Sequence, residues 1–254
     1  MKHDIEQIEV NSSSWFRHWF DSSFYHQLYA NRDEQEAAHF IDELVSELKP
    51  APSASMLDLG CGSGRHSKQL ASKGFQVTGL DLAASSIRMA NRFATQSLNF
   101  YRHDMRLPFG NNRFDYVFNF FTSFGYFKSD RENYQVVRNI SNSLVDGGML
   151  VMDYLNVPFA EQNLLPVETK EIDGVIYDIK RWTDDRFFYK KISIENIQGS
   201  APLEYLEQVA KLTLSDFHLM FTKYGLRIQK LFGDYRLNDY NPETSPRLIM
   251  VAKK

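Results

Sequence analysis

Apolar and polar positions change period twice along the chain. Between residues 15 and 48 apolar side chains recur every three to four positions. Phe16, Phe20, Phe24 and Leu28 form one row, flanked by Trp15, Trp19, Tyr25 and Tyr29, and Ala37, Phe40, Ile41, Leu44 and Leu48 form another. That spacing puts each row on one face of a helix. Asp21-Ser22-Ser23 interrupts and recaps the first stripe, Asp33-Glu34-Gln35-Glu36 opens the next helix with acids in its first turn, and Pro50-Ala51-Pro52-Ser53 closes the segment. Short apolar runs then take over at 56–59, 75–80, 98–101, 114–121 and 144–153, with helical sequence at 65–71. Strands alternating with helices predict a parallel sheet. From 167 charged and apolar residues alternate through 167–172, 175–182, 186–194 and 203–212, with turns at Asp173-Gly174 and Asp184-Asp185. These are antiparallel strands with one wet face. A helix over 215–221, stopped by Gly225, and strands over 226–234 and 246–253 complete the pattern.

The first strand runs straight into Asp58-Leu59-Gly60-Cys61-Gly62-Ser63-Gly64. Glycines at alternate positions let the backbone turn sharply and approach a ligand closely, and the helix that follows offers its free N–H groups there. The second apolar run ends in Asp81, where a carboxylate suits a ribose diol. A dinucleotide turn has the form Gly-x-Gly-x-x-Gly, but here the third glycine comes one residue early and Asp58 precedes the turn. A carboxylate at that place would repel a pyrophosphate and favours a cationic ligand, S-adenosylmethionine rather than NAD.

Composition narrows the class. The 254 residues are 43% apolar, enough for one α/β domain with a sizeable core and a smaller appendage. A net charge of −3 without a basic block disfavours dense nucleic-acid binding. Cys61, the single cysteine, excludes an internal disulfide framework and a cysteine zinc cluster, and fits as a small residue between glycines. His103 beside Asp104 has no second ligand at metal-binding spacing, so no metal is expected. With no signal pattern and no run of 18 apolar residues, a cytoplasmic, membrane-free protein is the expectation.

Asp58, Gly60, Gly62 and Gly64 meet the acid-x-Gly-x-Gly-x-Gly motif of the class I S-adenosylmethionine-dependent methyltransferases, which the chain resembles from residue 56 to 153. His103-Asp104-Met105-Arg106 resembles the adenine-binding step of that family, Phe114 to Phe121 its fourth strand, and Leu144 to Asp153 its helix end, Gly-Gly turn and fifth strand. The resemblance implies an α/β, Rossmann-like, seven-stranded sheet with an N-terminal helical cap and an antiparallel β insertion after strand five. Divided accordingly, residues 1–49 are the cap, 50–156 the cofactor-binding core, 157–212 the insertion and 213–254 the completion of the sheet. The resemblance also implies S-adenosylmethionine as cofactor, held by Asp58, Gly60, Cys61, Gly62 and Gly64, by Asp81 and Leu82, by Asp104 and Met105, and by Asn119 and Tyr29. More loosely, the N-terminal Tyr and Arg32, the Gly125-Tyr126 segment and the meander resemble enzymes that dimethylate amino groups of nucleotide-linked deoxysugars. Glycine N-methyltransferases are a more distant likeness.

Methyl transfer from a sulfonium is an in-line displacement, so holding donor and acceptor in line and excluding water is the main task. Proton removal, where the acceptor needs it, has Tyr126, His26 and Asp153 as first candidates and His18 and Tyr235 behind them. Phe124, Tyr126, Tyr25 and Tyr29 offer aromatic faces to a cationic centre. Asn119 stands where DNA amino-methyltransferases carry Asn or Asp before two prolines, but Phe120 and Phe121 replace the prolines, which argues against a DNA base. A small-molecule acceptor with an N or O nucleophile is expected, and a homodimer through the insertion is the protein partner considered. The competing expectation is a binding protein that keeps the cofactor pocket without turnover, as a sensor or partner subunit.

Overall fold

The computed structural model describes residues 15–29, 34–195 and 203–254. The N-terminal aromatics form two short helices, α1 (Trp15–Phe20) and α2 (Ser23–Leu28). Ser22 caps the second, its Oγ accepting the Tyr25 N–H at 3.0 Å and satisfying one of the donors a helix start leaves open. The break turns the phenylalanine row out of register, so the fully buried anchor is Trp19 instead. Helix α3 (Glu34–Leu48) buries Ala37, Phe40, Ile41 and Leu44, the face its spacing predicts. Arg32 and the Asp33 expected to open this helix lie outside the described residues.

The core runs β1 (Ser55–Leu59), α4 (Arg65–Ser72), β2 (Gln76–Asp81), α5 (Ala84–Ala90), β3 (Leu98–Arg102), β4 (Phe114–Asn119), α6 (Asp130–Ser143), β5 (Leu144–Leu155) and α7 (Val157–Gln162). After the insertion come α8 (Leu214–Lys223), β10 (Arg227–Phe232) and β11 (Arg247–Lys253). The seven-stranded sheet has the order β10-β11-β5-β4-β1-β2-β3, with β3 through β5 parallel and β11 antiparallel to both of its neighbours. From β1 the chain winds first one way and then the other, which opens a crevice beyond the ends of β1 and β4. Strand β4 stops two residues short of its apolar run because Phe121 and Thr122 take up left-handed φ values of 55° and 58°. Helix α6 escapes the sequence pattern because it buries Asn133, Asn139, Ser141 and Ser143 among its valines and isoleucine.

The insertion is a four-stranded meander, β6 (Val167–Ile172), β7 (Val175–Thr183), β8 (Phe187–Ile194) and β9 (Leu203–Ala210). Asp173 and Gly174 turn its first hairpin with φ of 50° and 76°, the paired left-handed geometry that matches strand twist. One face carries Tyr177, Ile179, Ile192 and Ile194, which pack against Trp19 and Leu28 of the first two helices. The far end of β9 is clipped to the core: Ala210 N–H donates to Gly125 O at 2.8 Å, and Tyr154 O–H donates to Ala210 O at 2.6 Å. Among the described residues no helix is long and apolar enough to cross a membrane.

Candidate active site

A cleft of about 520 Å³ lies at the crevice between β1 and β4, walled by the glycine turn on one side and by α1, α2 and β9 on the other. The turn is built almost wholly from backbone. Gly60 and Cys61 both donate to Leu80 O, at 2.7 and 3.0 Å, and Gly64 N–H closes back on Cys61 O at 3.0 Å. Gly62, with φ of 55°, faces open space, since a Cβ there would meet nothing within 4 Å. At Gly64 close packing is decisive, because a Cβ would sit 2.7 Å from the Phe100 ring that wedges the turn against β3. Cys61 is buried, and burial pushes its thiol well above its ordinary range, a setting that suits a small space-filling residue.

Three carboxylates stand around this turn in different settings. Asp81 lines the cleft and grips the turn: its Oδ2 accepts Gly62 N–H and its Oδ1 accepts Ala83 N–H, each at 2.8 Å. A carboxylate has about four lone-pair sites, so Asp81 keeps acceptor capacity for a ligand hydroxyl. Burial lifts the Asp81 carboxyl above the usual carboxylate range, with the N–H groups of Ala83, Gly62 and Leu82 pulling the other way. Asp58 lies behind the turn, 1% exposed and outside the cleft wall, accepting the Ser67 hydroxyl at 2.6 Å. Burial, reinforced by the charge of Asp81 and opposed by the Ser67 hydrogen bond, raises its pKa to about 7. Asp104 lines the cleft beside Met105 and is held by Arg106, whose Nε and Nη2 reach its two oxygens at 3.0 and 2.7 Å. Arg106 is anchored in turn by Glu132 at 2.7 Å, the residue that also caps α6 through Ser129.

The opposite wall is made of side chains. Phe20 meets Tyr25 and Tyr126 edge-on, with centroids 5.1 and 5.3 Å apart, and Tyr25 tilts against Tyr29 at 4.9 Å. Glu207 of β9 brings the only carboxylate that the inserted strands contribute to the described lining. Its Oε1 accepts Trp19 Nε1–H at 2.6 Å and Tyr29 O–H at 3.1 Å, while Lys190 Nζ stands 3.6 Å from Oε2 and bonds the Tyr29 hydroxyl. Trp19 and Glu207 are 188 residues apart in sequence, so this wall exists only once α1, α2 and the insertion have docked.

The cleft therefore gathers Tyr29, Gly60, Cys61 and Gly62 with Asp81, Leu82, Asp104 and Met105, and leaves Asp58, Gly64 and Asn119 outside its lining. Asn119 is buried at the end of β4 and donates through Nδ2 to Leu59 O at 2.6 Å, tying β4 to β1, while its Oδ1 has no hydrogen-bond partner among the described residues. Of the candidate bases, Tyr126 and His26 line the cleft, with a His26 ring nitrogen 2.9 Å from Ser85 Oγ. Asp153 does not: it is 0% exposed and paired with Arg247 at 2.7 Å. Tyr235 donates to Asp153 at 3.2 Å, and burial pushes its phenol far up, away from service as a base. His18 is exposed and outside the lining. Arg65, Phe121 and Glu207 are lining residues that sequence reasoning missed. Arg65 was detectable as the first residue of the helix after the glycine turn, whereas nothing local marks Glu207. Among the described residues no group of three His, Cys, Asp or Glu side chains is arranged to hold a metal.

Residues 56–148 match the methyltransferase-domain family. The chain is 29% identical to the putative methyltransferase YqeM of Bacillus subtilis, over 92% of this chain and 95% of that protein. It is 26% identical to the cypemycin N-terminal methyltransferase of a Streptomyces species, over 83% of this chain and 87% of the other. Among solved structures it is similar to S-adenosylmethionine-bound CalS10, an amino pentose methyltransferase from Micromonospora echinaspora. That likeness has a TM-score of 0.68 at 21% identity, covering 91% of this chain and 97% of that one.

Proposed function

Taking the chain as a class I S-adenosylmethionine-dependent methyltransferase, with that molecule as its cofactor, we propose that it methylates a nitrogen or oxygen nucleophile of a small molecule, a sugar among the candidates. The observation that carries this reading is the hydrogen bond that Gly62 N–H donates to Asp81 at the mouth of an open glycine turn, which sets a cleft-lining carboxylate beside main chain that a ligand can approach closely. The cofactor supplies a methyl group already activated on a sulfonium. Gly62 and the first turn of α4 bind and orient it, Asp81 accepts the hydroxyls of its ribose, and Asp104, stiffened by Arg106, faces its adenine. Asp58 acts from behind, locking β1 to α4 through Ser67. Phe16, Phe20 and Tyr25 exclude water over the acceptor, and Glu207 and Lys190 set the polarity of that side. Proton removal falls to groups already in the cleft: Tyr126, His26 or Glu207. The relatives are named as methyltransferases, and nothing in the cleft favours a protein that only binds.

Transfer from methyl-labelled S-adenosylmethionine into a fractionated metabolite extract tests the proposal. Label should appear in a small-molecule fraction, with S-adenosylhomocysteine formed in equal amount. Label confined to protein or nucleic acid, or none transferred from any extract to which the folded protein is exposed, would contradict it.

A further inference from the structure

Asp153, 0% exposed, and Arg247, largely buried with its side chain 18% exposed, form an ion pair between β5 and β11, beside the cleft but outside its wall. A buried pair is weak as a stabiliser, because well-packed apolar residues of similar volume often do as well. Its hydrogen bonds show what else it holds. Asp153 accepts Phe121 N–H on Oδ2 at 2.8 Å and Thr122 N–H on its main-chain oxygen at 3.1 Å. Arg247 donates to Asp153 Oδ1 at 2.7 Å and to Thr122 Oγ1 at 2.9 Å. Phe121 and Thr122 are the two consecutive left-handed residues after β4, and a β-branched threonine there, at φ of 58°, is a true outlier. Such a turn persists only where its surroundings over-determine it. Phe121 lines the cleft, with Tyr235 stacked on its ring at 5.2 Å and the Arg65 guanidinium 4.6 Å from the ring centre.

We propose that Asp153 and Arg247 are positioning residues of the cofactor cleft: they hold Phe121 and Thr122 left-handed so that Phe121, with Arg65 against it, forms the wall beside the glycine turn. This rests on the cofactor assignment above. It gives Asp153 a role that burial and full hydrogen bonding permit, where proton abstraction is denied to it.

The test is titration calorimetry with S-adenosylhomocysteine on Thr122→Val and Thr122→Gly. Both lose the hydroxyl that Arg247 reaches, but glycine takes the left-handed region freely and valine resists it. Valine should weaken binding by about tenfold or more, and glycine by less than about threefold, relative to the unsubstituted protein. Asp153→Asn should also weaken binding, and adding Thr122→Gly should recover most of the loss, a rescue that a merely stabilising ion pair would not show. Equal affinities for the valine and glycine variants, or normal affinity in a folded Asp153→Asn protein, would overturn the proposal. If Asp153→Asn does not fold, the Thr122 pair decides alone. Absence of binding by the unsubstituted protein would instead overturn the cofactor assignment.

Discussion

The two walls of the cleft are made of different material. On the glycine-turn side it is mostly main chain and carboxylates: the N–H groups of Gly60, Cys61 and Gly64 are spent on Leu80 O and Cys61 O, that of Gly62 on Asp81, and Asp81 and Asp104 line the cleft. On the opposite side it is aromatic rings of α1 and α2 and a glutamate of β9, the last backed by Lys190 of β8. A wall of backbone has little freedom to diverge without losing the fold. A wall of side chains on an appended sheet can change its chemistry and leave the sheet behind it alone. On the proposed function, cofactor binding belongs to the first wall and choice of acceptor to the second.

Removing Asp81 should break that division most severely on the cofactor side. Asp81→Ala loses hydrogen bonds to a ligand and also frees the Gly62 and Ala83 N–H groups. Charged-acceptor bonds are worth about 1.5 to 3 kcal/mol each, so affinity for S-adenosylhomocysteine should fall by about a hundredfold, with a drop in Tm because the turn itself loosens. An unchanged dissociation constant by calorimetry would contradict this. On the other wall, Trp19→Ala should destabilise the docking of α1 and α2 on the insertion by about 3 to 5 kcal/mol, since Trp19 is 0% exposed and packs on Tyr25 and Tyr205. Urea denaturation would measure it, and a loss under about 1 kcal/mol would show that the helices are not anchored there.

Glu207→Gln is the sharper probe of the comparison. It keeps the shape of the side chain but removes the charge opposite Lys190, and should lower turnover on whatever acceptor is found by about tenfold while leaving cofactor affinity within about twofold. A cofactor affinity that falls with turnover would erase the distinction between the walls. The remaining effect concerns pH. The folded-state pKa of Asp58 is raised to about 7, so its contribution to stability is fully present below the ordinary carboxylate pKa and is lost as pH rises through about 7. Stability should decline across pH 4 to 7 with up to about 1.4 kcal/mol per pH unit from this group, and Asp58→Asn should flatten that slope. An identical slope in the variant would place the titration elsewhere.

The same contrast explains what could be read in advance. The seven-stranded sheet, the insertion after its fifth strand and the Asp173-Gly174 hairpin were legible because each rests on a short pattern: alternating glycines, an acid at a strand tip, a two-residue turn. Asp81 and Asp104 could be placed at the cleft for the same reason. Asp153 looked like a base because it ends an apolar run at the right edge of the sheet, but its partner Arg247 lies 94 residues away. The row of Phe16, Phe20, Phe24 and Leu28 marked one aromatic face, but the place of Trp19 as the fully buried anchor came only with the Ser22 cap that breaks the helix. Glu207 was invisible, since its significance comes from Trp19, Tyr29 and Lys190, all distant in sequence except Lys190. Main-chain chemistry leaves a local signature, and side-chain walls assembled across the fold do not.

The central claim is that the backbone-built wall recognises a sulfur-linked adenosyl ligand and not a dinucleotide. Calorimetric titration of the intact protein with S-adenosylhomocysteine and, separately, with NAD tests it most directly. Saturable one-to-one binding of S-adenosylhomocysteine is expected, abolished or greatly weakened in Asp81→Ala, with no saturable heat from NAD. Binding of NAD in preference to S-adenosylhomocysteine, or of neither by the folded protein, would contradict it.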